Sequence, residues 1–495
     1  MPEVLLKDLI MAVEGATLMG GDDVIIRGIE YDSRNVQAGY LFVAVPGFKQ
    51  DGMKFIPDAV ERGAAAVLAE NDPGLDIPAA IAPSPRKALA DVAARFHDYP
   101  GSKIDIYGTT GTNGKSTVVS LIKKIREVDG HRCGMISSLE YDTGARKYKA
   151  ERTTPESLEV QTLLKEMIEN HCDSASFEVS SHALLLNRVD HIDFKIGVFT
   201  TFSRDHLDFH KDMDDYLDTK KLLLNKLTGD NKCAVINMDV PEFGSFIKDA
   251  PCRVLTYSAE NNDADISVGD ILLHADHSHF KLITPAGNGD VRLTLPGRYN
   301  LTNAAAAAAA GIAMNVGLDK IIKALNESIP LPGRFVPINM GQPFSVIVDF
   351  AHTPDAIDRL CRSAREITPE NGRLLILFGC GGDRDRGKRP LMGQAASENC
   401  EVVIVSSDNP RTEDPKQIFD DIMPGIKIDS AVIIADRREA INEILHRANP
   451  GDTVLIAGKG AENYQDINGV RHPFEDSKEI MAVLTEMDFT KDING

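Results

Sequence analysis

The chain has 495 residues, 43% of them hydrophobic, more than one core usually supports, so about two to four domains are expected. A formal net charge of −20 argues against a nucleic-acid binder, whose affinity would rest on Lys and Arg neutralising phosphates. Seven cysteines, odd in number and without a CxxC pair, point to reduced thiols rather than a zinc ribbon or a disulfide framework.

Residues 1–15 set apolar positions at helical spacing among Glu3, Lys7, Asp8 and Glu14, unlike an export signal, so the expected compartment is the cytoplasm. Strand-like runs at 24–29, 41–45 and 65–68 alternate with helical patterns and end in the amphipathic stretch 85–97, predicting a small α/β domain over 1–100. The breaker-rich stretch 99–102 closes it. Over 101–332, strands at 104–107, 176–179, 196–199 and 234–236 are separated by helical segments, which predicts a mainly parallel sheet with right-handed crossovers. The Ala-rich tract 304–314 is too short to span a bilayer and reads as a packed helix, so no membrane insertion is expected. Leu331-Pro332-Gly333-Arg334 marks the next boundary. Over 333–495, strands at 345–349, 374–378, 402–405, 432–434 and 453–457 alternate with helix-like stretches, a Rossmann-like doubly wound α/β layout.

Gly108-Thr109-Thr110-Gly111-Thr112-Asn113-Gly114-Lys115-Ser116 follows an apolar strand and precedes the helical run 117–128. Glycines let successive N–H groups face a polyphosphate, the helix N-terminus favours negative charge, Lys115 reaches the terminal phosphates, and Ser116 can ligate Mg²⁺. Five residues rather than the usual four separate Gly108 from Gly114. ATP or GTP binding follows; kinases, switches and motors share such a loop, so the reaction does not.

Other residues admit two readings. Glu178 ends an apolar strand, where a hard cation would compensate its charge, or it caps the next helix. His206 lies between Asp205 and Asp208 without an HExxH arrangement, and His210, one turn on, is expected at the surface. Lys220 beside Lys221 reads by itself as a solvated charge. Arg411 lies on the loop beyond the strand at 402–405, where ligands bind in open α/β sheets; a turn salt bridge with Glu413 or Asp414 is the plainer alternative. Asn300 and Asn303 precede the Ala-rich helix, and capping suits Asn303.

The loop, together with Glu178-Val179-Ser180-Ser181-His182, Ser203-Arg204-Asp205-His206-Leu207-Asp208, Tyr216 followed by Lys220, Asn300 with Asn303, and Asp349-Phe350-Ala351-His352-Thr353-Pro354, resembles the Mur ligase family. That family also includes folylpolyglutamate synthetases. Asp32-Ser33-Arg34, residues 41–44, Gly379-Cys380-Gly381-Gly382-Asp383-Arg384 and Asp408-Asn409-Pro410-Arg411 resemble its diaminopimelate-adding members.

The resemblance implies an N-terminal UDP-binding domain, a central P-loop ATPase domain and a C-terminal amino-acid-binding domain. It implies that ATP converts the D-glutamate carboxylate of UDP-N-acetylmuramoyl-L-alanyl-D-glutamate to an acyl phosphate, which the amine of meso-diaminopimelate then attacks. Lys115, Glu178, His206 and Lys220 are the implied catalytic residues, with Ser116, Glu178, His206 and a carbamate on Lys220 holding Mg²⁺. Asn300, Asn303, Arg334 and His352 would join 108–116 around ATP. Ser33, Phe48, Lys49, Gln50, Thr153, Thr154, Ser180 and Arg188 would hold the UDP substrate; Arg384, Asp408, Asn409, Pro410, Arg411, Gly458 and Glu462 would hold diaminopimelate. The chain is expected to act as a monomer. Leu186, Thr201 and Ala461 depart from the family pattern, where Gln, Asn and His are usual, which bears on the substrate rim. A lysine-adding homologue, a folylpolyglutamate synthetase, and a P-loop switch or transport ATPase are the rival readings.

Overall fold

Alternate strand residues face opposite cores in each of the three larger sheets, so both faces of their central strands are covered. The computed structural model describes residues 3–47, 51–274 and 276–489, so the expectation for Phe48, Lys49 and Gln50 lies outside the described residues. The first sheet has strand order Thr17–Met19, Ala79–Ile81, Ala66–Ala69, Tyr40–Val43, Gly28–Glu30, antiparallel only at the first pair. Helix Pro85–Phe96 packs on one face; it starts with Pro at its first position and Ser84 as its cap.

The second sheet has eleven strands. A parallel core runs Cys133–Ile136, Ser174–Glu178, Asp105–Thr110, Phe194–Phe199, Cys233–Asn237, Arg253–Ser258 and Ile266–Leu273. Ile106, Phe177 and Phe199 face one core, while Tyr107, Ile196 and Val198 face the other with helices Lys115–Val128 and Arg298–Ala313. Ala304 to Ala310 are buried, as expected for the packed helix, and their small side chains let it lie close to Lys115–Val128. The sheet departs from expectation at its edges. Antiparallel strands Glu140–Asp142 and Lys147–Lys149 extend one side, and Ser278–Thr284 and Gly287–Leu293 the other. Their half-exposed faces carry charged and polar residues, so they lack the continuous apolar runs that mark buried parallel strands.

The third sheet runs Val336–Pro337, Ser345–Asp349, Thr453–Ala457, Leu374–Phe378, Val402–Val405, Val432–Ile433, parallel except for the first pair. Helices Pro354–Ile367 and Lys388–Asn399 cover one face, Arg437–His446 and Asp476–Glu486 the other, the doubly wound arrangement expected. No helix among the described residues is long and apolar enough to cross a membrane.

Candidate active site

The phosphate loop proper is residues 111–114, between strand Asp105–Thr110 and helix Lys115–Val128. Gly108 lies inside the strand, where a side chain would come within 2.8 Å of the Phe194 ring, which accounts for the extra residue in the motif. Thr109 and Thr110 are likewise strand residues, buried, with hydroxyls that lack protein partners. Gly111, at φ +152°, would place a Cβ 1.9 Å from Thr200 Oγ1; Gly114, at φ +86°, would place one 2.4 Å from Asn303 Oδ1. Only glycine fits either position. Thr201 braces the loop, its Oγ1 accepting from Asn113 N at 2.8 Å and its carbonyl from Thr112 N at 2.8 Å. Lys115 Nζ donates to the carbonyls of Gly111 and Thr112, both at 2.9 Å, and burial lowers its pKa against the pull of Glu178 and Asp205.

Ser138 links the two sides of the next cluster. Its hydroxyl lies 3.0 Å from Ser116 Oγ, while its N–H and hydroxyl reach Glu178 Oε1 at 2.9 and 3.2 Å. Glu178 therefore does not cap the following helix; Ser180 does, accepting from Ala183 N at 3.2 Å. Lys220 is 1% exposed, with Nζ 4.1 Å from the centroid of the Tyr216 ring, and its side chain makes no hydrogen bond or ion pair among the described residues. Burial, reinforced by the Lys115 charge, drives its ammonium strongly towards the neutral amine. Lys221, by contrast, pairs with Asp249 at 2.6 Å. His206, at φ +56°, is kept neutral chiefly by burial, with a pKa lowered to about 3. His210 is not at the surface: it is buried, its ring nitrogens 2.9 Å from Ser181 Oγ and 3.2 Å from Asp215 Oδ2. A polar ring with two partners is satisfied inside, which a surface assignment from spacing overlooked.

Residues of the third sheet close over this loop. Arg334 Nη2 donates to Ser116 Oγ at 3.2 Å, with its guanidinium 4.7 Å from the Phe350 ring centroid, and Asn113 Nδ2 donates to Asp355 Oδ2 at 3.1 Å. Between them lies a cleft lined by residues including Asn113, Ser116, Asn303, Arg334, Phe350 and Arg359. Asn303 is not a cap. The helix starts earlier, with Gly297 at the cap position, so Asn300 and Asn303 lie inside it; Asn300 Nδ2 reaches Pro296 O at 2.7 Å, and Asn303 Nδ2 reaches Asn300 Oδ1 at 3.0 Å. His352 Nδ1 bonds the Phe350 carbonyl at 2.8 Å, leaving Nε2 3.9 Å from Asp205 Oδ2. Lys388 Nζ reaches Asp205 Oδ1 at 3.1 Å, and Arg204 forks onto Asp385 at 3.1 and 3.3 Å.

Two loops at the carboxyl ends of the third sheet's strands are laced together. Gly382 N donates to Asn409 O at 2.9 Å and Arg411 Nη1 to Gly382 O at 2.7 Å. Arg411, at φ +51°, forms no ion pair among the described residues, so the expected alternative of a bridge to Glu413 or Asp414 is absent. Arg384 Nη1 bonds Asp383 O at 2.9 Å. Asn409 bridges Glu462 Oε2 at 2.7 Å and Lys459 at 3.3 Å, and burial, then Asp408, raises the Glu462 pKa. Gly458, at φ +112°, passes Asp408 so closely that a Cβ would be 2.6 Å from its Oδ2. Pro410 O accepts from Glu413 N at 3.0 Å, tightening the turn.

Of the residues expected at the UDP substrate, three gather beside Glu178. Thr154 Oγ1 bonds Glu178 O at 2.8 Å and Ser180 Oγ at 3.2 Å, and Arg188 Nη1 bonds Thr154 O at 3.1 Å. Thr153 is their half-buried neighbour in the chain. Ser33 is buried in the first sheet's unit, where its side chain helps hold the Asp58 carboxyl below the usual carboxylate range.

The three units match three family descriptions in order: Mur ligase family, catalytic domain over 25–97; Mur ligase middle domain over 109–311; and Mur ligase, glutamate ligase domain over 333–460. A curated relative from Bacillus velezensis, named UDP-N-acetylmuramoyl-L-alanyl-D-glutamate--2,6-diaminopimelate ligase, is 40% identical over 94% of this chain and 95% of its own. The chain belongs to the Mur ligase family. A relative of the same name from Clostridioides difficile is 37% identical to this Mur ligase over 97% of its chain and 100% of the relative. A solved structure bearing that enzyme name covers 99% of this Mur ligase and 100% of its own chain, with TM-score 0.68 and 33% identity. A MurF ligase from Thermotoga maritima in complex with ADP, at TM-score 0.67 and 18% identity over 93% of this chain and 97% of its own, shares the fold.

Within this Mur ligase, sequence reasoning missed Ser138, Asp355, Lys388 and Lys459, and quoted Asp205 only as part of a motif. Lys459 between two glycines was the one visible signal, since a cation flanked by two glycines is a plausible ligand contact. The others act across elements distant in the chain.

Proposed function

We propose that this Mur ligase joins meso-diaminopimelate to the D-glutamate of UDP-N-acetylmuramoyl-L-alanyl-D-glutamate, with ATP cleaved to ADP and phosphate, in cytoplasmic peptidoglycan precursor synthesis. The observation that carries the reading is the way two sheets share one site: a phosphate loop on the second is closed by Arg334 of the third, which also presents Arg411, without an ion pair among the described residues. A switch or transport ATPase has no use for the second half. Domain limits of 1–100, 101–332 and 333–495, and action as a monomer, belong to the same proposal.

In the first step the D-glutamate carboxylate attacks the terminal phosphoryl group and ADP departs; in the second the amine attacks the acyl carbon, phosphate departs and the amine loses a proton. Lys115, freed from its own loop carbonyls, and Arg334 neutralise negative charge building on phosphoryl oxygens. The cleft lined by Asn303, Phe350 and Arg359 takes the nucleotide, with His352 at its third-sheet side. Thr154, Ser180, Arg188 and Ser33 hold the UDP substrate. Arg411 and Arg384 take the distal carboxylate, with Asp408, Asn409, Gly458 and Glu462 shaping the remainder of that pocket.

Magnesium fits the donors present. Magnesium takes one or two protein carboxylates and fills its remaining positions with phosphate oxygens and water, and Glu178 beside Ser116 supplies such a carboxylate. Glu178 with its second oxygen unbonded, neutral His206, Ser116 and Lys220 are the residues that would hold it. When bound, the ion supplies charge stabilisation to the phosphoryl oxygens. Lys220 belongs in that set as a carbamate: only a neutral amine adds CO₂, and burial with the Lys115 charge outweighs the pull of Asp205 on this amine, which has no side-chain hydrogen bond or ion pair among the described residues.

Mass analysis of the product from ATP, the UDP dipeptide and an equimolar mixture of diaminopimelate and lysine tests the reading. Diaminopimelate incorporation supports it; lysine incorporation, or full ADP release without acceptor and amino acid, overturns it.

A further inference from the structure

Arg389 is one of the largest fully buried side chains of the protein, and the chemistry above does not use it. It lies beneath the two loops that present Arg384 and Arg411. Its Nη1 donates to Glu413 Oε2 at 2.9 Å and to Asp421 Oδ2 at 2.8 Å, and its Nη2 to Glu413 Oε1 at 2.8 Å. Arg386 forks onto the same Asp421 at 2.9 and 3.1 Å, so two cations and two carboxylates balance in charge, with Asp383 N and Gln417 donating to the same carboxylates.

Glu413 is two residues from Arg411, and both flank one dipeptide. A Cβ on Gly381 would lie 2.7 Å from Arg411 Nη1, and one on Gly382 3.3 Å from Glu413 Cβ. A carboxylate so placed is the natural partner of Arg411, yet both its oxygens are engaged by the Arg389 fork, and Arg411 is left with the Gly382 carbonyl. A guanidinium that already held an internal carboxylate would offer an incoming one only an exchange of partners.

We propose that Arg389 is a positioning residue for the incoming amino acid: by sequestering Glu413 it keeps Arg411 open to the substrate's distal carboxylate. The proposal rests on the diaminopimelate reading above. Its distinctive consequence is that losing Arg389 does harm through the carboxylate it releases, not only through lost packing.

The test uses the full-length enzyme and steady-state kinetics with each of the three substrates varied in turn, for the wild type, Arg389→Met, Glu413→Gln and the double variant. Arg389→Met is expected to raise KM for diaminopimelate about tenfold, the scale at which outer partners of a binding group act, with KM for ATP and the UDP dipeptide within about twofold of wild type. Glu413→Gln in the Arg389→Met background is expected to recover most of that loss, because the competing charge is gone. If Arg389→Met does not fold, Arg389→Lys, which keeps the charge and loses the fork, enters the same comparison. Equal changes in all three KM values, an unchanged KM for diaminopimelate, or a double variant no better than the single overturns the proposal. A wild type that uses lysine and not diaminopimelate overturns the substrate reading and this proposal with it.

Discussion

Asp205 and Lys388 form an ion pair at 3.1 Å, 5% and 7% exposed, which joins the loop after Phe199 on the second sheet to a helix on the third. Burial pushes the Asp205 carboxyl up, and Lys388, His206 and His352 more than offset it, holding the group below the usual carboxylate range. Asp205→Asn leaves a buried ammonium unpaired, a cost of about 3–5 kcal/mol. Replacing both partners, as Asp205→Leu with Lys388→Met, is expected to recover most of that in urea unfolding, with activity still low. Single and double variants that unfold alike would show that the pair contributes nothing.

Lys220 and Lys221 are neighbours in sequence with opposite surroundings. Lys220→Ala is expected to lower kcat by about a hundredfold or more through loss of transition-state charge stabilisation, and Lys221→Ala to leave it within about twofold. Matching losses in both variants, or none in either, removes the assignment.

The phosphate loop tolerates no side chain at Gly111, where a Cβ would meet Thr200 Oγ1 at 1.9 Å. Gly111→Ala is expected to weaken ATP binding by about tenfold or more, measured by calorimetry, with melting temperature reduced. Unaltered ATP affinity would mean that the loop rearranges freely.

Arg411→Lys keeps the charge and loses the planar fork. KM for diaminopimelate is expected to rise by about a hundredfold, with KM for ATP unaffected. Parallel increases for both substrates would argue for a structural defect.

Burial holds His97, His182 and His352 at pKa values of about 4, below the ordinary histidine value. The unfolded chain therefore binds more protons than the folded one between about pH 6.5 and 4, so their contribution to stability is intact above 6.5 and is lost as pH falls towards 4. The urea midpoint should drop across that window, and His97→Gln, away from the cleft, should flatten the drop. A midpoint independent of pH there would contradict neutral burial of these rings.

Sequence periodicity located the third sheet well, because strands buried on both faces are continuous apolar runs; Leu374–Phe378 and Thr453–Ala457 were read to the residue. The outer antiparallel strands of the second sheet, and the hairpin Tyr464–Ile467 with Val470–Pro473, carry polar faces and were not legible. In the site, the phosphate loop was readable because its glycines are local requirements. Asp205 and Lys388 stand 183 positions apart, and no periodicity links them. His210 and Asn303 went astray for a related reason: each is satisfied by a partner that spacing alone does not reveal.

On the proposed ATP site, the bonds that Asn113 donates to Asp355 and Arg334 donates to Ser116 make the nucleotide cradle a joint product of two sheets. A chimera that grafts another homologue's amino-acid-selecting unit onto this chain inherits that stitching. The crossover has to fall before Arg334, and the transplanted piece has to carry its own equivalents of Asp355 and Lys388. Swapping specificity wholesale then also resets nucleotide affinity, whereas retuning the Arg411 loop alone leaves it untouched.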